Sequence, residues 1–225
     1  MKLWILIAGL SLMACHPAKN NQAGNDISVR SAPVDTGQPA AATPVADNPI
    51  AEAGVPVEQL IVPGQSVGKT PLGLDASLLA QRLGRPDFSD AAMGKAWLTW
   101  YGQRDEHNNR TELNIYTTYK DSTMQTKVVR QIRTTSSYFK TKEKMGVYRS
   151  LDELQKFFPD LKAVGYYKDG NRIITIYDAA RSGIAFEVGE ANGQEICTGV
   201  IVHPKGKEVL DVYLYFRPEV ERMEE

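Results

Sequence analysis

The fold prediction starts from residues 75–87, which read DASLLAQRLGRPD. Asp75 can accept hydrogen bonds from the free N–H groups at the start of a helix, and the leucines after it recur at the spacing of one helical face. Gly84 and Pro86 follow at positions where helices end. The stretch therefore predicts a short amphipathic helix with one apolar side.

A second helix is predicted over residues 150–157, because Ser150 and Glu153 have the spacing of a capping box and Pro159 ends the apolar stripe. The two helical segments align at a constant offset along the chain. The matched residues are Gly73 with Gly146, Ser77 with Ser150, Leu78 with Leu151, and Pro86–Asp87 with Pro159–Asp160. This alignment predicts an internal repeat.

Segments rich in β-forming residues follow each helix, and Asp169-Gly170-Asn171 and Asn192-Gly193 have the composition of tight hairpin turns. The pattern predicts an α+β fold of two tandem repeats, each a short helical element packed on one face of an antiparallel β-sheet. The repeats span residues 61–134 and 135–217, with a charged tail over residues 218–225. The predicted strands are Ala96–Tyr101, Glu112–Tyr119, Lys127–Arg133, Lys162–Lys168, Asn171–Tyr177, Gly183–Val188, Ile196–His203 and Val209–Phe216.

The N-terminus has the layout of a bacterial lipoprotein signal. Lys2 precedes an apolar run from Leu3 to Leu12, and Leu12-Met13-Ala14-Cys15 resembles a lipoprotein cleavage site. The uncharged run would span only about 20 Å as a helix, short of the ~30 Å hydrocarbon layer. We predict a signal peptide over residues 1–14 and attachment of acyl chains such as palmitate to Cys15. The alternative is a secreted protein that is cleaved without lipidation.

Residues 15–60 are predicted to be a disordered tether after the lipidated cysteine. The segment is rich in Ala, Pro, Asn, Asp and Gln, and no aromatic residue occurs between Trp4 and Phe88. Such a composition buries too little apolar surface to offset the conformational entropy of the chain. A tether of this kind would hold a folded domain away from a membrane surface.

Charge and the rarer residues exclude several function classes. The formal net charge of −1 gives no basic footprint for nucleic acid. The three histidines, His16, His107 and His203, are scattered along the sequence, so we predict no metal site and no cofactor. The second cysteine, Cys197, lies in a strand-like run and is predicted to be a buried, unreactive core residue.

Residues 63–87, PGQSVGKTPLGLDASLLAQRLGRPD, resemble the entry segment of the SmpA/OmlA and β-lactamase-inhibitor-protein-like superfamily. Val67-Gly68, Leu72-Gly73 and Leu83-Gly84-Arg85-Pro86 fill the positions of its pattern. Residues 136–162 are similar to the second repeat of tandem members, although the first half departs from the pattern by a longer polar loop, Gln103–Arg110. The resemblance implies helices on one sheet face and an open second face that grips a partner protein.

Strand alternation then predicts which aromatic side chains face away from the helices. With the aliphatic side chains of residues 113–119 directed inward, Tyr116 is directed outward; with Ile174 and Ile176 inward, Tyr177 is outward. Neighbouring strand residues point to opposite faces, so one residue of Trp100–Tyr101 and one of Tyr166–Tyr167 must also point outward. The candidate partner-binding residues are Trp100, Tyr101, Tyr116, Tyr166 and Tyr177 on strands, and Asp105 and His107 in the polar loop. Ordinary cross-strand pairing is the alternative role for these aromatics.

Together these features predict a lipid-anchored envelope protein of a Gram-negative bacterium that binds an unidentified envelope or secreted protein and performs no catalysis. His16 after Cys15 favours the outer membrane, with the folded domain in the periplasm. A narrower alternative is an inhibitor of a periplasmic or secreted hydrolase, a β-lactamase or a protease, that inserts the loop Gln103–Arg110. The third hypothesis is that the protein is an enzyme.

Overall fold

The computed structural model describes residues 54–213 and 219–223, which belong to one compact unit. The predicted signal peptide, the lipid-attachment residue Cys15 and most of the predicted tether lie outside these residues. Within the described part of the chain, no helix has the length and apolar character needed to cross a membrane.

Most of the described chain is antiparallel β-sheet. A small sheet comes first and contains β1 (Ile61–Val62), β2 (Ser66–Val67) and β3 (Thr70–Pro71). The main sheet has nine strands among the described residues, in the order β12-β8-β9-β10-β11-β7-β6-β5-β4. Its strands are β4 (Phe88–Ala92), β5 (Lys95–Arg104), β6 (Arg110–Tyr119), β7 (Lys127–Thr134), β8 (Lys162–Asp169), β9 (Arg172–Ala179), β10 (Ile184–Ala191), β11 (Gln194–Val202) and β12 (Glu221–Arg222).

The helical segments are short. They are the 3₁₀ turns Val57–Gln59 and Ala76–Leu78, and the helices α1 (Leu79–Leu83), α2 (Leu151–Phe157) and α3 (Leu210–Tyr213). Asp75 accepts the N–H of Ser77 at 2.9 Å, and Ser150 and Glu153 form a reciprocal capping box. Both helices predicted from the sequence are therefore confirmed.

Both of these helices pack on one side of the main sheet, which we call the first face. Leu79 of α1 and Leu151 and Leu154 of α2 belong to a single buried cluster. The strands contribute, among others, Ile115, Ile132, Phe186, Val188, Cys197, Val200 and Val202. Full burial of each such aliphatic or aromatic side chain contributes about 1.5–3 kcal/mol, so this cluster is the principal core.

The opposite side, the second face, is also covered along strands β8–β11. Ile174, Ile176 and Ile201 form a second buried cluster with Val209 and Leu210, next to α3. The resemblance implied an open second face, and over these strands that expectation is wrong. Strands β9–β11 carry apolar residues at both alternating sets of positions, which is the pattern of a strand that is buried on both sides.

The edges of the folded unit differ from the sequence prediction. Residues 57–60 were assigned to the tether, but Lys140 N donates to the carbonyl of Gln59 at 2.9 Å and Gly68 N donates to the carbonyl of Leu60 at 2.9 Å. These hydrogen bonds attach the segment to the fold. The composition of residues 57–60 did not show that their backbone groups form hydrogen bonds with residues distant in the chain, such as Lys140.

Two further assignments near the C-terminus are wrong. The predicted strand Val209–Phe216 is helical over Leu210–Tyr213. The predicted tail contains β12, which pairs with β8 through Glu221 and Tyr166, and Val220 is buried in the second cluster. Burial of a few apolar residues against the second face, rather than local propensity, decides the conformation here.

Candidate functional site at the hairpin end of the second face

A cleft of about 670 Å³ lies at one end of the main sheet. One wall is the loop between β5 and β6, and the other is formed by the β8–β9 and β10–β11 turns. The floor contains second-face residues, including Arg133 and Ile174. Cavities of this size are typical of ligand and peptide sites in proteins. The cleft is therefore a candidate binding site, chosen because the ordered β5–β6 loop rims it.

The β5–β6 loop is ordered by its own hydrogen bonds. Oδ1 of Asp105 accepts the backbone N–H groups of His107 and Asn109, each at 2.9 Å. Nη1 of Arg104 donates to the carbonyl of Asn108 at 2.6 Å. Hydrogen bonds from an aspartate to the following backbone N–H groups stabilise tight turns. Although the residues at its tip are exposed, the loop has a defined conformation.

Tyr148, which lies outside the hairpin, fixes the loop from the cleft side. Its hydroxyl donates to Oδ2 of Asp105 and accepts from Nδ2 of Asn109 at 3.3 Å. The His107 ring meets the Tyr148 ring edge-on, with 4.4 Å between centroids. We call Asp105, His107, Asn109 and Tyr148 the loop clamp, because these four residues hold the hairpin loop against the body of the protein.

The backbone of Tyr148 is in a conformation that favours glycine. Its φ is +71°, and the residue pair Tyr148–Arg149 lies opposite the single residue Cys197 of β11. This arrangement matches a β-bulge whose first residue has the left-handed conformation and is usually glycine. A residue with a side chain costs about 1–3 kcal/mol in such a conformation. The backbone conformation favours glycine, so the contacts of the Tyr148 side chain explain why a tyrosine is present.

The floor of the cleft contains a buried ion pair. Nε and Nη2 of Arg133 donate to the two carboxylate oxygens of Glu187 at 2.8 and 2.7 Å. Nη1 of Arg133 also donates to Oδ1 of Asn114 at 2.7 Å and to Oε2 of Glu112 at 3.2 Å. Glu187 is 0% exposed and Arg133 is 4% exposed. Because its donors are engaged, the guanidinium has a structural role under the cleft.

The hydrogen bonds of the loop clamp also shift the ionisation of its members. Partial burial disfavours the charged carboxylate of Asp105, but hydrogen bonds from Tyr148, Asn109 and His107 outweigh burial and lower the pKa of Asp105. Burial, and then the hydrogen bond to Asp105, raises the pKa of Tyr148. The carboxylate and the neutral phenol are therefore the forms that the clamp stabilises.

We expect Tyr148→Phe to raise the pKa of Asp105 towards the ordinary aspartate value of about 3.9, because the carboxylate loses its hydroxyl donor. In the wild type, stabilisation by this carboxylate is fully present above that ordinary pKa and is lost as the pH falls through the lower folded pKa. A ¹³C-carboxyl NMR titration of Asp105 measures both values. Tyr138→Phe, at a half-exposed tyrosine outside the clamp, is the control; an unchanged Asp105 pKa in Tyr148→Phe would contradict the clamp.

The structure brings some of the predicted binding residues together. Asp105 and His107 belong to the loop clamp. A second hollow of about 600 Å³ beside the same hairpin is lined by Trp100, Tyr101 and Asp105, together with Tyr138 and other residues. Tyr101 is on the second face and is 37% exposed, and the Arg110 guanidinium lies 4.0 Å from the centre of its ring. Trp100 packs against the principal core, and its indole N–H donates to the carbonyl of Gly84 at 3.1 Å.

The remaining three tyrosines are elsewhere. Tyr116 faces away from the helices as predicted, but it is 3% exposed and therefore buried. Ile174 and Ile176 belong to the second cluster, so Tyr177, which alternates with them along β9, packs against the principal core on the first face. The prediction that the isoleucines face the helices and Tyr177 faces outward is therefore wrong. Tyr166 lies near the β12 edge, and its hydroxyl donates to Glu221. None of these three lines the cleft.

Sequence reasoning missed Tyr148 as a site residue. It precedes the predicted second helix by two residues, and no motif marks it. Its only signal was a tyrosine two residues before the capping residue Ser150, which does not reveal a left-handed backbone. Cys197, in contrast, is 0% exposed as predicted, and burial raises the pKa of its thiol.

The described residues contain no group of three or more histidine, cysteine, aspartate or glutamate side chains arranged to hold a metal ion. Comparison of the chain with protein-family models, with curated proteins and with solved structures found no match.

Proposed function

We propose that this chain is a lipid-anchored cell-envelope protein of a Gram-negative bacterium that binds another protein and catalyses no reaction. Cys15 carries the lipid, the anchor is in the outer membrane and the folded unit is in the periplasm. The partner contacts the hairpin end of the sheet, where the β5–β6 loop rims the cleft. This places the interface at one end of the second face rather than across it.

The observation that carries the binding role is the loop clamp. A tyrosine occupies a backbone conformation that favours glycine, and its hydroxyl holds a loop whose tip is exposed. Pre-ordering an exposed loop lowers the entropy cost of binding a partner. His107, Asn109 and Arg110 are presented beside the cleft, and aromatic and arginine side chains such as Tyr101 and Arg110 are enriched at protein interfaces.

The proposal includes a duplicated architecture over residues 61–134 and 135–217, as the SmpA/OmlA and β-lactamase-inhibitor-protein-like resemblance implies. Two observations support it. A capped helical segment precedes β4–β7 in the first half and β8–β11 in the second. Both helices bury leucine side chains in the same cluster on the first face.

Inhibition of a β-lactamase or protease is the second candidate function. The observation that favours it is that the β5–β6 loop is both exposed and internally hydrogen-bonded, as a loop inserted into an active site must be. A panel of such hydrolases, assayed at micromolar protein, tests this candidate. No change in any hydrolase rate would contradict it and would leave the broader binding role standing.

The anchor is tested by Cys15→Ala. We expect the variant to accumulate as uncleaved precursor or to leave the detergent phase on extraction, because the acyl chains supply about 0.8 kcal/mol of membrane affinity for each buried CH₂. Metabolic labelling with a palmitate analogue, followed by phase partitioning, measures this. Unchanged labelling and partitioning would contradict lipidation at Cys15.

The binding role is tested by site-specific photocrosslinking in intact cells. A photoreactive residue at position 107 is expected to crosslink to one reproducible protein, while the same residue at position 168, on β8, is not. Tyr148→Gly is expected to reduce the yield at position 107 several-fold, because it removes the clamp. Relief of backbone strain offsets part of the side-chain packing against the principal core that is lost, and urea unfolding shows that the variant is folded. Equal crosslinking at the two positions, or an unaffected yield in Tyr148→Gly, would contradict the proposal.

A further inference from the structure

Two neighbouring hairpin turns, residues 92–95 between β4 and β5 and residues 120–126 between β6 and β7, lie at the end of the sheet opposite the cleft. We call them the paired tips. They are adjacent because Ala96 of β5 pairs with Thr117 of β6. They also touch, since a side-chain carbon at Gly94 would overlap the ring of Tyr119. The paired tips therefore form one surface.

Each tip exposes a methionine on a backbone that disfavours it. Met93 is 99% exposed with φ +49°, and Met124 is 64% exposed with φ +55°. The β10–β11 hairpin at the other end has nearly the same backbone with Asn192-Gly193, at φ +53° and +76°, where β4–β5 has Met93-Gly94, at φ +49° and +80°. Asparagine suits this turn and methionine does not.

Local stability does not account for these two methionines. A turn that only connects strands is served better by asparagine, and an exposed thioether side chain gains nothing from burial within the fold. Two such residues on touching turns point to a use outside the folded chain. Burial of these exposed apolar side chains against another surface is such a use.

Three lysines and two aspartates, Asp90 and Asp121, lie in or beside the tips, a formal balance of +1. Lys95, Lys120 and Lys127 flank the tips, and the ammonium of Lys127 lies 5.4 Å from the centre of the Tyr119 ring. The lysine ion pairs seen between described residues, Lys69 with Glu58 and Lys142 with Glu143, include neither Lys120 nor Lys127. Asp121 accepts hydrogen bonds from Thr123, which lower the pKa of Asp121 and keep its carboxylate charged but direct it into its own turn. The small positive excess, carried by lysines next to both methionines, favours an anionic surface over a cationic one.

We infer that the paired tips dock on an anionic phospholipid bilayer. Met93 and Met124 enter the boundary between headgroups and acyl chains, Tyr119 lies at the headgroup level, and the lysines face the lipid phosphates. Apolar side chains with flanking cations are the usual features of interfacial membrane binding. A protruding surface fits a deformable bilayer better than a shaped protein groove, and like charges oppose its pairing with a second copy.

The inference goes beyond the proposed protein-binding role and is compatible with it. Strand β5 spans Lys95–Arg104, 10 residues, from the paired tips to the loop that rims the cleft. At about 3.3 Å per residue the two ends are roughly 30 Å apart. Docking by the tips would leave the cleft directed away from the lipid surface.

The test uses the mature chain from His16 onward, so that neither the lipid nor the apolar signal segment contributes to vesicle binding. Cysteine is introduced at position 93 and labelled with an environment-sensitive fluorophore, since Cys197 is buried and does not react. We expect a blue-shifted emission on adding vesicles of phosphatidylcholine with phosphatidylglycerol, no shift with phosphatidylcholine alone, and loss of the shift at high salt. The same label at position 192 is the control and is expected not to shift. Absence of a shift at position 93, an equal shift at both positions, or an equal shift with neutral vesicles would overturn the inference.

Sedimentation with the same vesicles then measures the contribution of each feature. Met93→Asn with Met124→Asn keeps side chains suited to the turns, and we expect it to weaken partitioning roughly tenfold. Lys120→Glu with Lys127→Glu is expected to weaken it at least as much, whereas Lys168→Glu on β8 changes it little. Unfolding midpoints in urea show that each variant is folded. Unchanged partitioning in the methionine variant, or a wild-type dimer that this variant converts to monomer, would refute docking by the tips.

Discussion

Arg133→Met is expected to lower the free energy of unfolding by about 3–5 kcal/mol, because it leaves a buried carboxylate without its partner. Glu187 is 0% exposed and receives two hydrogen bonds from Arg133, at 2.8 and 2.7 Å. Urea unfolding followed by far-UV circular dichroism measures the change. This is the largest effect of a single substitution that the structure leads us to expect.

The control for Arg133→Met is Arg149→Met. Arg149 forms an ion pair with Glu153 at 3.2 Å, but both side chains are more than a third exposed. Exposed pairs of this kind contribute about 0–1 kcal/mol. Replacing both members of the buried pair, as Arg133→Met with Glu187→Leu, should recover part of the lost stability, since the fully buried carboxylate is gone while Asn114 and the partly exposed Glu112 still lose a donor. If the two single arginine substitutions have equal effects, the buried pair does not have the role assigned to it.

His203→Leu is expected to cost about 3 kcal/mol of folding free energy for a related reason. Nε2 of His203 lies 3.0 Å from Oδ1 of Asp178, and Nδ1 lies 3.2 Å from the carbonyl of Pro204. Oδ2 of Asp178 accepts the N–H of Val209 at 3.0 Å. The histidine and aspartate thus connect the end of β11 and the segment before α3 to the second face.

The measurement for His203→Leu combines urea unfolding with hydrogen exchange. We expect exchange at Val209 and Leu210 to accelerate more than exchange within β5 and β6, because the substitution releases the segment next to α3. His107→Leu makes the same chemical change at an exposed loop residue, where it removes the ring contact with Tyr148, and should alter the free energy of unfolding by no more than about 1 kcal/mol. A loss of protection spread evenly over the sheet would count against a local role for the His203–Asp178 pair.

Local signals in the sequence determined much of the fold. The capping residues Asp75 and Ser150 place both short helices, and Asn192-Gly193 places a hairpin turn, because these residues satisfy or permit the required backbone conformation within a few positions of themselves. Period-two alternation identified strands β5–β11, with errors at their ends. A buried Cys197 also followed from its apolar, strand-like surroundings.

The tertiary structure decided the faces of the strands. Ile174 and Ile176 were assigned to the helix side, but Val209 and Leu210 cover the other side and bury them there. Alternation gives two sets of positions, and it identifies the buried set only when one face is exposed to solvent. In β9–β11 both sets are apolar, so the assignment depended on what packs against each face.

The candidate site could not be predicted from local sequence patterns either, because its residues are distant from one another in the chain. Asp105 and His107 could be selected as loop residues, yet Tyr148, which orders the loop, is 43 positions from Asp105 in the chain. Arg133 and Glu187, beneath the cleft, are 54 positions apart. The sequence alone determined the short helices, the turns and most of the strands, since each depends on residues near one another in the chain. The loop clamp and the buried ion pair exist only because the sheet brings distant strands into register, and a one-residue shift in that register would direct these side chains to the other face.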